Sequence, residues 1–294
     1  MRESNAPYTK EEKPQLDVIA SIVAYCSDDD VINRAIQSFL DTTLQVHLYI
    51  IDNSPTSGLH KTLPPDERIT YLHRPANLGY GAGHNVAIEK SVRASKYFLV
   101  LNPDVYFSPD VLPSLFLHLE LNPRIGVAAP QVRYPNGSPQ ISRRLLPSPF
   151  DLIIRRLPIV KQALKAQVAA KQYEEVSVEE VLEVPFLLGC FLFIRSEALA
   201  NCGGFDPRYF MYMEDLDLCR RISRLYQVVY YGEKYIYHVY ERASAKHLSS
   251  LFHHIHSFVK YFNKWGWVSD PQRKAINKAA MRKTKTVALH QTTV

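Results

Sequence analysis

The chain has 294 residues, of which 46% are hydrophobic and 22% charged, with a net charge of +6. That length predicts about two domains, or one large α/β domain with additions, and the composition excludes a disordered or collagen-like chain. The longest strongly apolar stretch, Phe186 to Ile194, has nine residues, against the about 20 that a membrane-spanning helix needs.

The sequence is polar up to Leu16, with no apolar signal core, and residues 1–15 read as a flexible N-terminus. Leu16 to Tyr25 is an apolar, β-branched run that predicts a buried strand. Asp28 to Asp30 cap a helix carrying Val31, Ala35, Ile36, Phe39 and Leu40 at helical spacing. Val46 to Ile51 and Ile69 to His73 predict further strands. A glycine-rich loop then opens a helix running to about Ser95. Tyr97 to Leu101 predicts a fourth strand, Pro109 to Leu121 a helix, Gly126 to Ala129 a fifth strand, and Tyr134 to Gly137 a turn. This alternation argues for an α/β fold with a mostly parallel sheet between helices.

Beyond the turn the pattern changes. Phe150 to Tyr173 predicts an amphipathic basic helix, Val184 to Ile194 an extended segment, and Glu214 to Leu225 a helix. Val228 to Tyr231 and Tyr235 to His238 predict short strands, and Leu248 to Trp267 an aromatic helix followed by a loose basic tail. The domain division expected is 16–240 for the α/β domain and 241–294 for a basic helical extension and tail. Arg242 to Val294 carries +9 and Gln140 to Gln172 carries +6, which leaves −9 on the rest. Cys26, Cys190, Cys202 and Cys219 have no CxxC spacing and read as reduced thiols of a cytosolic protein.

Three acidic clusters follow predicted strands: Asp52-Asn53-Ser54, Asn102-Pro103-Asp104 and Glu214-Asp215-Leu216-Asp217. In open α/β sheets, ligands bind at the carboxyl ends of strands. Acids there hold a base, a ribose or a divalent cation; singly, each also reads as a turn or cap acid. The run Asn77 to Asn85 contains Gly79, Gly81 and Gly83 ahead of a helix. It suits close backbone approach to a phosphate, yet it is misplaced for a dinucleotide fingerprint, which follows the first strand.

In order, these motifs resemble the family-2 inverting glycosyltransferases of GT-A fold, most closely the rhamnosyltransferase-like branch of bacterial surface-polysaccharide synthesis, O-antigen included. The matching pieces are Ile51-Asp52-Asn53-Ser54, the Asn77 to Asn85 loop, Leu101-Asn102-Pro103-Asp104, Gly203-Gly204-Phe205-Asp206 and the segment from Tyr212 to Arg221. The resemblance implies that Asp52 contacts a pyrimidine base and that Asn77, Gly79, Gly83 and Asn85 line the nucleotide and diphosphate. It implies that Asn102 and Asp104 stand at the family's Asp-x-Asp position. Asp104 and His238 would then hold Mg²⁺ or Mn²⁺, and Asp215 would be the catalytic base. Asn102 departs from the full pattern, since an amide oxygen is a neutral, weaker ligand.

The chemistry suits these residue types. Inverting transfer is an in-line displacement that needs one base at the acceptor hydroxyl and neutralisation of the leaving diphosphate. Asp217 and Arg221, spaced i,i+4, equally read as a brace within a helix. His84 reads as structural or phosphate-facing, and His253 and His256 as surface residues. The implied partners are a dTDP- or UDP-sugar and a saccharide acceptor on a polyprenyl diphosphate lipid. The basic segments, with Trp265 and Trp267, suit an anionic membrane surface, which implies a peripheral place on the cytoplasmic face. A packed helix with an ordinary basic face is the plainer reading. No nucleic-acid-binding module is recognisable. A nucleotidyltransferase and a non-catalytic nucleotide-sugar or lipid-binding module are the alternatives; the first calls for a glycine-rich basic loop after the first strand, which this sequence lacks.

Overall fold

The computed structural model describes residues 15–154, 169–173, 176–239 and 248–291. The predicted flexible N-terminus falls outside them, as do Arg155, Arg156, Lys161 and Lys165 of the predicted basic helix. Strand β1 (Leu16–Ala24) lies between β2 (Val46–Asp52) and β4 (Ser95–Leu101), parallel to both, and β3 (Ile69–His73) adds outside β2. The chain thus winds outward to β3 and returns across β1, which opens a crevice at the strand ends where the winding reverses. β1 carries side chains into both core layers, Val18, Ala20 and Ile22 into one and Ile19 into the other. That accounts for its unbroken apolar run.

The other half of the sheet is mixed. β10 (Phe191–Arg195) inserts antiparallel between β4 and β6 (Ile125–Arg133). β11 (Gln227–His238) runs parallel to β6. It carries β5 (Val105–Phe107) and β8 (Val181–Glu183) antiparallel along its outer edge. The two short strands expected over 228–238 are one strand with a register shift between Tyr231 and Tyr235. A small second sheet pairs β7 (Arg143–Arg144) with β9 (Phe186–Leu187). The turn at Tyr134 to Gly137 is closed by the Gly137 amide donating to the Tyr134 carbonyl.

Helices α1 (Asp29–Leu40) and α3 (Val111–Leu121) cover one face of the sheet. Asp28 caps α1 by accepting from the amides of Asp30 and Val31, which satisfies donors that the first turn leaves open. The other face holds α2 (Tyr80–Ser91), α5 (Ser196–Cys202) and α6 (Glu214–Ile222); a short α4 (Pro149–Ile154) precedes β8. Two C-terminal helices, α7 (Leu248–Trp265) and α8 (Pro271–Gln291), pack on the same face through Tyr261, Phe262 and Ala280. The tail expected to be loose is therefore helical.

A buried ion pair ties these helices to α6. Arg220 donates to both carboxylate oxygens of Asp270, at 2.8 and 2.6 Å, and lies over the Trp265 ring. Both charges are nearly inaccessible, so removing one leaves the other without compensation in a poorly solvated place. Asp270→Asn is expected to cost about 3–5 kcal/mol, read from the urea midpoint. A cost below about 1 kcal/mol would mean that Arg220 finds water or another acceptor.

Candidate active site

Strand β4 ends in Asn102-Pro103-Asp104, which turns into β5. The antiparallel register of β5 on β11 pairs Val105 with His238, so the neighbouring Asp104 comes to the imidazole. Asp104 Oδ2 lies 3.4 Å from His238 Nε2, while Asp104 Oδ1 is buried with no hydrogen-bond partner. On its other nitrogen His238 meets Gln140 Oε1, at 3.1 Å. An unpartnered buried carboxylate oxygen beside an imidazole nitrogen is the donor set expected of a divalent-cation site. Among the described residues no third His, Cys, Asp or Glu joins them. Asn102 belongs to the same corner. The Tyr80 hydroxyl lies 2.8 Å from Asn102 Oδ1 and 2.8 Å from the Gly189 carbonyl, and its single proton is shared between them. With its oxygen so engaged, Asn102 keeps its NH2 as a donor.

The start of α6 brings further acids to the same cavity. Tyr212 and Met213 precede it with φ of +70° and +68°, a left-handed pair that is costly without glycine and that delivers two acids at once. Asp215 accepts from the Gly189 amide at 3.0 Å and from the Leu216 amide at 2.8 Å. Gly189 sits against the Asp215 side chain, where an added Cβ would come within 2.9 Å of the Asp215 Cβ. Burial raises the pKa of Asp215, opposed by those two amides and by the charge of Arg144. Burial also pushes Glu214 up to about 8, helped by the neighbouring Asp215 charge. Burial and the Asp215 charge thus favour the neutral acid form of Glu214.

Asn102, Asp104, Glu214, Asp215 and His238 line one cavity of about 740 Å³, with Tyr80, Gln140 and Arg144. Apolar residues, among them Ile141, Leu145, Phe186, Leu188, Met211 and Leu216, also line it. Sequence reasoning missed Tyr80, Gln140 and Arg144. Tyr80 lies inside the glycine run it did single out, but Gln140 carries no signal in the sequence. Cys190 also lines the cavity, and burial holds its thiol protonated. Cys26 is exposed, contrary to its apolar sequence context.

The glycine loop stands elsewhere. Gly79 has φ +91° and crosses the Phe210 backbone so closely that a Cβ would meet its carbonyl oxygen at 2.2 Å. Gly83 lies against Val23 of β1. Asn77 accepts from the Gly79 amide, and Asn85 both donates to the Phe205 carbonyl and accepts from its amide. Asn85 thereby ties the loop to the Gly203-Gly204-Phe205 segment, and none of Asn77, Gly79, Gly83 and Asn85 lines the cavity. Asp52 is fully buried and accepts from the Tyr71 hydroxyl at 2.7 Å and the Ser54 amide at 2.9 Å. Asp52 and Asn85 thus bond within the protein, and neither lines the cavity.

His84 is structural: it is buried, bonds Ser21 Oγ at 2.6 Å, and burial lowers its pKa to about 3. Asp217 is a brace, accepting from Arg221, Lys264 and the Trp265 indole. Trp265 is therefore held inside the protein rather than at a membrane boundary, whereas Trp267 and Val268 are exposed. His254 lines the cavity, and His253 stacks on Phe210.

Residues 21–203 match the family described as Glycosyl transferase family 2. The N-acetylglucosaminyl-diphospho-decaprenol L-rhamnosyltransferase of Mycobacterium tuberculosis is 31% identical over 221 residues, 71% of each chain. Rhamnosyltransferase WbbL of Escherichia coli is 27% identical, over 60% of this chain and 70% of its own. Among solved structures, the Pyrobaculum calidifontis mannosyltransferase in complex with GDP-Man and Mn²⁺ superposes with a TM-score of 0.58 at 14% identity. It covers 85% of this chain, which spans 65% of it. GalNAc-T7 with UDP, GalNAc and Mn²⁺ gives a TM-score of 0.57 at 14% identity; it covers 78% of this chain, which spans 44% of it. The two structural likenesses speak for the fold.

Proposed function

The chain belongs to glycosyltransferase family 2, with a GT-A-like fold, and from that premise we propose that it moves rhamnose from a dTDP- or UDP-linked donor onto a saccharide carried by a polyprenyl diphosphate. The observation that carries this reading is that Asp104, His238 and Asp215 line a single cavity. Such a set serves an in-line displacement, with Asp104 and His238 at the leaving diphosphate and Asp215 at the incoming hydroxyl.

Asp215 is the base. Its carboxylate is oriented by the Gly189 and Leu216 amides and accepts the proton of the acceptor hydroxyl as the oxygen attacks the anomeric carbon. Glu214, favoured as the neutral acid beside it, then adds no second negative charge to repel the donor. Asp104 and His238 would hold Mg²⁺ or Mn²⁺, which when bound neutralises charge growing on the departing nucleoside diphosphate. Asn102 keeps an amide donor for the donor's oxygens. The apolar lining residues, from Ile141 to Leu216, suit the lipid end of the acceptor, in keeping with the decaprenol named for the mycobacterial relative. The direct test presents purified protein with a panel of nucleotide-sugars and a short-chain polyprenyl-diphosphate N-acetylglucosamine, read by mass spectrometry. A gain of one deoxyhexose from the rhamnose donor supports the reading; transfer only of another sugar would reassign the donor.

Among the described residues no helix is long and apolar enough to cross a membrane. We place the chain peripherally on the cytoplasmic leaflet, held by its basic C-terminal helices and by exposed Phe252, Ile255 and Val259 of α7. Charge attraction is screened over about 8 Å at physiological salt. Sedimentation with vesicles is expected to show binding to anionic but not neutral ones, partly released by salt. Ile255→Ser and Phe252→Ser are expected to weaken the salt-resistant part. Equal binding to both vesicle types, or to neither, would turn the basic face into a protein-contact surface.

A further inference from the structure

Gln140 follows the turn after β6, where its amide donates to the Val132 carbonyl. Its side-chain Nε2 donates to the backbone carbonyl of His238 at 2.8 Å, and more weakly to that of Arg133 at 3.4 Å. Carbonyls only accept, so the side-chain amide has one orientation and its oxygen is the atom facing His238 Nδ1, at 3.1 Å. An oxygen there needs a proton on Nδ1. The other ring nitrogen, Nε2, faces Asp104 Oδ2 at 3.4 Å. The other oxygen of the same carboxylate is buried and without a partner. The β5 to β11 register sets the His238 backbone opposite Val105, next to Asp104.

We propose that Gln140 is a positioning residue that fixes His238 as the Nδ1–H tautomer, so that Nε2 and Asp104 together face a divalent cation carried in with the donor diphosphate. The inference rests on the metal reading given above and adds the residue that makes His238 a ligand. Outer partners that orient a ligating imidazole are typically worth 10–100-fold in metal affinity. Gln140 is half-buried at the cavity edge, and its contacts leave the core layers untouched.

The test has two readouts besides activity. Long-range ¹⁵N–¹H spectra of the His238 ring in the metal-free protein report the tautomer directly. The expected pattern is a protonated Nδ1 and an unprotonated Nε2, replaced by a tautomer mixture in Gln140→Leu. Electron paramagnetic resonance of Mn²⁺ titrated into protein saturated with a nucleoside diphosphate reports the affinity. Gln140→Leu is expected to weaken Mn²⁺ by about 10–100-fold. A protonated Nε2 in the wild type, or Mn²⁺ affinity unchanged in Gln140→Leu, overturns the inference while leaving the metal site standing. A wild type that transfers sugar yet binds no Mn²⁺ overturns the metal reading and this inference together. Thermal melts of the variant separate loss of the ligand from loss of the fold.

Discussion

Asp215→Asn is expected to lower transfer by at least the ~100-fold typical of losing a general base, with donor affinity nearly unchanged. The substitution keeps the shape but offers no proton acceptor of comparable basicity, and it turns an NH2 toward the Gly189 or Leu216 amide that the carboxylate accepted from. Initial rates at saturating donor check it, alongside donor binding by calorimetry. Glu214 is the natural rival base, being next in sequence and in the same cavity. Its neutral form is favoured, its pKa pushed up to about 8 by burial and by the charge of Asp215. Glu214→Gln, nearly isosteric with that neutral acid, is therefore expected to fall far less. If instead Glu214→Gln is the dead variant and Asp215→Asn retains most of its turnover, the two roles are exchanged.

The same argument fixes the sign of the pH dependence. A base acts only when deprotonated, and burial raises the pKa of Asp215. Activity is then lost as pH falls through that raised value, so the acid limb of the kcat profile lies above the ordinary carboxylate range. Asp215→Asn is expected to remove this limb from whatever activity remains. A limb unchanged in the variant would belong to another group.

Removal of divalent metal is expected to have a comparably large effect. EDTA should abolish transfer and Mn²⁺ or Mg²⁺ restore it, because Asp104 Oδ1 has no protein partner and its neighbour His238 brings only a nitrogen. Asp104→Ala should stay inactive at any metal concentration that leaves the wild type saturated. Full activity in EDTA would sink the metal role and pass the departing diphosphate to cationic side chains, among which Arg144 lines the cavity.

The parallel half of the fold was legible in the sequence because each of its strands is a local signal. β1, β2, β3 and β4 are apolar runs closed by Asp, Asn or Pro, and Asp28 caps α1 as its position announces. The mixed half was not, since β10 finds its neighbours β4 and β6 across long stretches of chain, and no local pattern says which edge a strand will join. The helical tail was missed for a different reason. The sequence of α8 lacks a continuous apolar face, and the helix is held by single contacts such as Ala280 in the core and Asn277 on the Leu146 backbone.

The site divides in the same way. Asp104, Asp215 and His238 come together as their motif positions imply, since strand ends and a helix start converge on one crevice. Asp52 and Asn85 do not join them, because buried hydrogen bonds to Tyr71, Ser54 and Phe205 take up their polar atoms. Gln140 enters only through the register of β11, which no reading of its own neighbourhood supplies.

The central claim is inverting sugar transfer with Asp215 as the only base, and the anomeric configuration of the product tests it most directly. Transfer from a β-linked nucleotide-sugar, followed by ¹H and ¹³C NMR of the purified glycoside, is predicted to give the α-anomer alone. A product that keeps the donor's configuration would require a second displacement or a front-side attack, and would contradict the role assigned to Asp215.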